Sequence, residues 1–270
     1  MTASRTRRAL RAVATIFLLL AASTVAAQPN SVYIEDLTWP ELQARIARGA
    51  VVAILPTGGT EQNGPHMALG KHNFVVRETA GRIARSLGTA LVAPLIPIVP
   101  EGPSELAAGN SSFPGTLGLS EESFARVLRD AAAGLARSGF KLICLIGDHG
   151  QSQGVQAAVA AELSRAWTAR GVRVVHVAAY YRPEAQDAEL ERAGIPRETL
   201  GDHAGVADTA QLMAVNPGAV RSALAVPESW KTPGPSGASG RPERATPAIG
   251  ERLLRQRVAA AVAEIRASER

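Results

Sequence analysis

Val51-Val52-Ala53-Ile54-Leu55-Pro56, closed by Thr57-Gly58-Gly59, is the stretch that decides the fold. So short a continuous apolar run between turn signals reads as a strand buried on both faces rather than a helix. A strand of that kind belongs to a parallel sheet covered by helices on each side. Moving outward, Asn73–Leu87 carries Val76, Ala80, Ile83, Ala84 and Leu87 at helical spacing, and Gly88 stops it. Leu91–Val99, interrupted by Pro94 and Pro97, reads as an edge or irregular strand. Ser120, Glu121 and Glu122 open a helix that Gly139 ends, the acids complementing its N-terminal dipole. Lys141–Ile146 is a second buried strand, Gln153–Arg170 a long helix and Val172–Ala179 a third strand. Helices follow at Glu184–Ala193 and Ala204–Val215, the latter stopped by Asn216-Pro217. Ser229–Pro247 is rich in Pro, Gly and Ser and reads as loop before a C-terminal helix, Ala248–Ala267. Apolar strands alternating with helices predict an α/β fold on a mostly parallel sheet.

Composition excludes several function classes. Of 270 residues, 46% are hydrophobic and 20% charged, enough apolar surface to offset the ordering entropy of folding. Aromatics are only 4%, so the core is built from small aliphatic side chains. The formal charge of +5 is mostly local. Arg5, Arg7, Arg8 and Arg11 lie within the first 27 residues with no acid beside them, leaving +1 for the rest. No clustered basic footprint remains for nucleic acid. Met1–Arg11 is basic, Ala12–Ala22 apolar, and Thr24-Val25-Ala26-Ala27 small, the order of a secretory signal cleaved after Ala27. The apolar run is shorter than the ~20 residues a membrane-spanning helix needs. Paired Arg7-Arg8 also suits export of an already folded protein. The expected product is residues 28–270, a single periplasmic or secreted domain with no membrane attachment. Cys144 is the only cysteine, so no internal disulfide forms, and its apolar setting marks it as a buried small hydrophobe.

Ligands of open parallel sheets bind beyond the carboxyl ends of the strands. Gly58–His66 with Gly70-Lys71-His72 follows the first strand, and Gly147-Asp148-His149-Gly150-Gln151-Ser152 follows the second. A third polar segment, Gly201-Asp202-His203-Ala204-Gly205, opens the helix that carries Asp208. Four of the five histidines, His66, His72, His149 and His203, fall in these segments; His176, inside the third strand, reads as structural. Histidines and carboxylates converging on strand ends suit a zinc-like ion with three protein ligands and an open position.

Five blocks in order resemble one family. Pro56-Thr57-Gly58-Gly59-Thr60-Glu61-Gln62-Asn63-Gly64-Pro65-His66 is similar to the first signature of the creatininase (creatinine amidohydrolase) family. Ser112-Phe113-Pro114-Gly115-Thr116 resembles its next motif, and Gly147-Asp148-His149-Gly150 stands at its Asn-Gly-His turn. His203-Ala204-Gly205 with Asp208-Thr209 resembles its His-Ala-Gly block. Gly240-Arg241-Pro242, Ala245-Thr246 and Gly250-Glu251 resemble its C-terminal stretch. The resemblance runs from about Ser31 to Ala267. It implies a three-layer α/β/α fold, a divalent-metal site that hydrolyses non-peptide amide C–N bonds, and a homo-oligomer. Carried over residue by residue, it keeps Glu61 and His149 as ligands and His203 as the histidine that handles substrate and proton. It also meets departures: a ligand histidine is Asn63, the aspartate that bridges two metals is His72, and a metal-binding glutamate of creatininase itself is Gln151. Two dications ~3.5–4 Å apart need an anionic bridge that a neutral imidazole does not provide. The expectation is therefore one ion, zinc first and manganese or iron(II) next, on Glu61, His72 and His149. A small amide is the expected substrate, with His203 as proton donor and Asp208 orienting or charge-balancing the site.

Two other readings stand beside this one. Gly150-Gln151-Ser152-Gln153-Gly154 matches a nucleophile elbow between strand and helix, which would make Ser152 a serine nucleophile with His203 as base and Asp187 or Asp202 as orienter. A degenerate relative that lost its chemistry would instead be an exported small-molecule binding protein.

Overall fold

Val52–Thr57 forms β1, and all six of its residues are buried. β1 lies at the centre of a computed structural model that describes residues 30–102, 112–228 and 235–270. The expected leader, residues 1–27, lies outside the described residues, as do residues 229–234 of the expected loop. Around β1 the chain builds α1 (Trp39–Ala47), α2 (Lys71–Leu87), β2 (Ala90–Val92), α3 (Glu121–Ser138) and β3 (Leu142–Gly147). After β3 come α4 (Gln153–Trp167), β4 (Arg173–His176), α5 (Pro183–Arg192), α6 (Val206–Val215) and α7 (Pro247–Glu269). The strands form one sheet in the order β2-β1-β3-β4, every pair parallel.

Side chains alternate across the sheet, and each parity has its own helical cover. Ala53, Leu55, Leu91, Ile143, Leu145 and Val174 face Phe124, Leu128 and Ala132 of α3 and Val159 and Leu163 of α4, with Leu42 and Ile46 of α1 at the margin. Val52, Ile54, Val92, Leu142, Cys144 and Ile146 face Val76, Ala80 and Ile83 of α2 and Ala261, Val262 and Ile265 of α7. Helix, sheet and helix make the three layers. A smaller cluster of Leu190, Ile195, Val206, Ala210 and Leu253 ties α5, α6 and α7 together. Gly250 permits the α6–α7 approach, because a Cβ there would lie 1.9 Å from Ala210 O. Residues Ser31–Arg270 form one compact unit. Among the described residues, no helix is long and apolar enough to cross a membrane.

Three boundaries differ from the sequence reading for physical reasons. β2 ends at Val92, and Ile96 and Val99 make only isolated bridges, because Pro94 and Pro97 have no N–H to continue a ladder. The predicted third strand, observed as β4, stops at His176, where a short 3-10 turn, Ala178–Tyr180, takes over. α2 begins at Lys71 rather than Asn73, which places His72 in the first turn of a helix. Lys71 and His72 are polar and escape an apolar periodicity count, yet both are buried. Cys144 is fully buried in β3, as expected.

Candidate metal centre

The loop after β1, the first turn of α2 and the end of β3 meet at the carboxyl edge of the sheet. Glu61 is held there by its N–H bond to Leu69 O, 3.1 Å, while Thr116 Oγ1 accepts from the next amide, Gln62 N, at 3.0 Å. Gly59 forms the floor. A Cβ on it would lie 3.4 Å from Cδ2 of both His72 and His149 and 3.5 Å from Glu101 Oε1. Glu61 Oε1 is 2.8 Å from His72 Nε2 and 3.4 Å from His149 Nε2. The three ligand atoms lie within 4.8 Å of one another, and all three residues are buried. Ligand atoms around a tetrahedral ion with bonds of about 2.1 Å are roughly 3.4 Å apart, so this donor set fits a zinc-like ion.

Of the three candidate ligands, His72 is oriented by a second residue. Asp148 Oδ2 accepts from His72 Nδ1 at 2.9 Å, which leaves the Nε2 lone pair of that ring available for an ion beside Glu61. Asp148 is in turn bound by the buried Arg257 guanidinium, whose Nη1 donates to Gln211 Oε1 at 2.7 Å and whose Nε donates to Tyr180 O at 3.1 Å. Burial pushes the Asp148 carboxyl up, but Arg257 and His72 outweigh it and hold it well below the usual carboxylate range. Glu61 behaves alike: burial raises it, and the two imidazoles drive it well below its ordinary value. For His149, burial opposes the charge, but Glu101 and Glu61 prevail and lift the imidazole to about 9. Two imidazoles held against carboxylates in a dry pocket form an environment in which a cation is stabilised.

The other predicted residues divide clearly. His203 lines the same cavity of about 440 Å³ as Glu61, His72 and His149. Its Nε2 lies 2.9 Å from Gln62 Nε2 and 3.0 Å from Gln62 O, and burial lowers its pKa. Asp208 does not touch the His203 ring. Its Oδ2 accepts from Ala204 N at 2.9 Å and its Oδ1 from Lys71 Nζ at 2.9 Å, so it braces the turn and neutralises a buried lysine. That turn is strained: Ala204 has φ 51°, in the left-handed region that favours glycine. His66 stays away from the ligands and pairs with Thr209 Oγ1 at 2.9 Å. His176 pairs with Gln153 Oε1 at 2.9 Å, a satisfied structural residue as expected.

The serine-nucleophile reading is corrected. Ser152 is fully buried; its Oγ donates to His149 O at 2.7 Å and accepts from Gln156 Nε2 at 2.9 Å. Its hydroxyl is committed to the backbone turn that presents His149, and it does not line the cavity. Sequence reasoning missed Glu101, Lys71, Gln62 and Arg257. Gln62 and Lys71 sat inside quoted motifs beside predicted ligands. Glu101 and Arg257 reach the site only through the fold.

Fold and site together define a three-layer α/β/α protein with a candidate metal centre at the carboxyl edge of its sheet. Comparison with known proteins narrows the class. Residues 35–265 match the family described as Creatininase: Creatinine amidohydrolase. The chain is 30% identical over 196 residues to the creatinine amidohydrolase of Pseudomonas putida, covering 70% of this chain and 73% of that protein. A solved tryptophan-to-alanine mutant of creatininase aligns with TM-score 0.74 and 25% identity over 88% of this chain and 99% of its own. A glutamate-to-glutamine mutant of creatininase of a Zn–Zn type and a creatininase with Mn each align with TM-score 0.72 and 25% identity over 88% of this chain, and over 98% and 99% of their own. This chain belongs to the creatininase family, as a divergent metal-dependent amidohydrolase.

Proposed function

We propose that this protein hydrolyses the C–N bond of a small, non-peptide amide, cyclic or linear, using one divalent ion held by Glu61, His72 and His149. The observation that carries the reading is the buried Glu–His–His set within 4.8 Å at the carboxyl edge of a parallel sheet. Zinc is the ion best matched to two imidazoles and a carboxylate, with manganese or iron(II) as the other occupants considered. A bound divalent ion supplies Lewis acidity that makes water a nucleophile near neutral pH and stabilises developing oxyanion charge.

The chain's own residues do the rest. Asp148 and Arg257 fix the His72 ring so that Nε2 faces the ion. Gln62 holds the His203 ring, and its side chain is itself anchored by donation to Gly237 O at 3.0 Å. His203 carries a proton to the departing nitrogen, since an imidazole can exchange protons near neutrality. Asp208 keeps Lys71 paired and holds the Ala204 turn, so its role is positioning and charge balance. The cavity of about 440 Å³ suits a small molecule.

We also propose that residues 1–27 are removed on export, giving a periplasmic or secreted protein, and that the mature chain self-associates. Leu69, Phe74 and Leu117 are 40%, 41% and 49% exposed, apolar surface that a homo-oligomer would cover. The N-terminal sequence of the exported protein and its sedimentation test these two points. For the activity, the test is hydrolysis of a panel containing creatinine, other cyclic amides and linear formamides, with and without chelator. Chelator-sensitive release of amine from at least one amide is expected. Binding without turnover across all three classes would support the exported binding protein instead.

A further inference from the structure

The centre contains a carboxylate that the three-ligand reading leaves without a task. Glu101 follows Pro100, after the irregular segment beyond β2, and only 7% of it is exposed. Neither of its carboxylate oxygens has a hydrogen-bond partner. Its one charged neighbour is the His149 imidazole, and a buried carboxylate is costly unless a cation or hydrogen bonds compensate it.

Its position says which cation would relieve it. Glu101 Oε2 is 3.2 Å from His149 Nε2, about the spacing of neighbouring ligands on one tetrahedral ion and close to the 3.4 Å between Glu61 Oε1 and the same nitrogen. Glu101 Oε1 also shares the Gly59 floor with both imidazoles, where one added Cβ would touch all three side chains.

The surrounding charges agree. Lys71 is matched by Asp208 at 2.9 Å, and Arg257 is matched by Asp148. With those pairs closed and the imidazoles neutral, Glu61 and Glu101 leave two negative charges. That balances one divalent cation and falls two charges short of a pair of them. Without Glu101, even a single ion would be under-neutralised in a buried site.

Resting on the one-ion reading above, we infer that Glu101 belongs to the metal centre as its second carboxylate, so that one divalent ion is held by two histidines and two glutamates.

The test is metal affinity. Full-length mature protein and its Glu101→Gln and Glu101→His variants are stripped with chelator and titrated with Zn²⁺ against a competing indicator. Co²⁺ loading then reports ligation through its visible bands. Glu101→Gln is expected to bind Zn²⁺ at least ~10-fold more weakly and to change the Co²⁺ bands, while Glu101→His, which restores a donor, recovers part of the affinity. Melting of the stripped proteins separates ligation from a structural role. Stripped Glu101→Gln should melt close to stripped wild type, because the substitution removes a buried carboxylate whose desolvation offsets its single contact with His149, yet gain less from added Zn²⁺. Affinity within about threefold of wild type, with unchanged Co²⁺ bands, overturns the inference and leaves the one-ion reading standing. A stripped variant that melts well below stripped wild type makes Glu101 structural and overturns it too. Wild type that takes up no ion sinks both.

Discussion

Arg257→Met is the substitution that probes the buried scaffold of the centre most sharply. Methionine keeps most of the aliphatic length over the Tyr180 ring, where the guanidinium now stacks 4.3 Å from the centroid. What it removes is the cation. Asp148 loses its ion pair, Gln211 Oε1 a donor at 2.7 Å and Tyr180 O a donor at 3.1 Å. Both charged partners are about 95% buried, so water does not replace what is lost. Breaking one side of a buried pair costs about 3–5 kcal/mol. Orphaned acceptors cost roughly 1–3 kcal/mol each, but they share one guanidinium, so the values do not add. A domain of this size shifts by about 2–4 °C per kcal/mol, which gives a fall in melting temperature on the order of 6–20 °C. Asp148 also orients His72, and loss of such second-layer support typically weakens metal binding ~10–100-fold. Calorimetry of metal-free and Zn²⁺-loaded protein reads both effects. The double variant Asp148→Asn with Arg257→Met, which removes both charges, should be less destabilised than Arg257→Met alone. A melting temperature within about 2 °C of wild type, or a double variant worse than the single, would refute the claim that this pair is a satisfied buried unit.

Other outcomes follow from the same geometry. His203→Ala should retain metal and lose ~10²–10⁴-fold in turnover, the range for a lost acid–base group, whereas His149→Ala should lose both. Full turnover by His203→Ala on an amide with a poor amine leaving group would remove His203 from proton transfer. Ser152→Ala should keep its metal and most of its turnover while losing ~1–3 kcal/mol of stability, because its hydroxyl satisfies His149 O and Gln156; abolished turnover with metal retained would revive the nucleophile. Cys144 is fully buried, which pushes its thiol well above the ordinary range, so a thiol alkylating reagent at pH 8 should label the unfolded chain and spare the native one. Labelling at equal rates would contradict its place in β3.

The layers of the fold were legible because burial on both faces leaves an unmistakable imprint. Val52–Thr57 and Leu142–Gly147 are buried at every position, and helices starting at Ser120 and stopping at Gly88 and Gly139 carry their caps in sequence. Glu61, His72 and His149 were legible as a set because strand ends are where ligands gather and because their motifs resemble a family pattern. What escaped was polar and non-local. Lys71 and His72 extend α2 by two residues, but a helix turn buried through charge pairing has no apolar period to count. Arg257 is 109 residues from Asp148, and nothing local to α7 distinguishes a buried arginine from the exposed ones beside it. Glu101 follows a proline-broken stretch that reads as an irregular edge, so its approach to His149 needed the packed structure. The elbow pattern at Ser152 misled for the opposite reason: the strand–turn–helix context is real, but the hydroxyl turns inward to the backbone.

The most direct test of the central claim is the metal content of the purified protein, measured by elemental analysis beside its His72→Ala variant. One divalent ion per chain, chiefly zinc, lost in His72→Ala, is the predicted result. Two ions per chain that survive the substitution, or none in wild type, would contradict it.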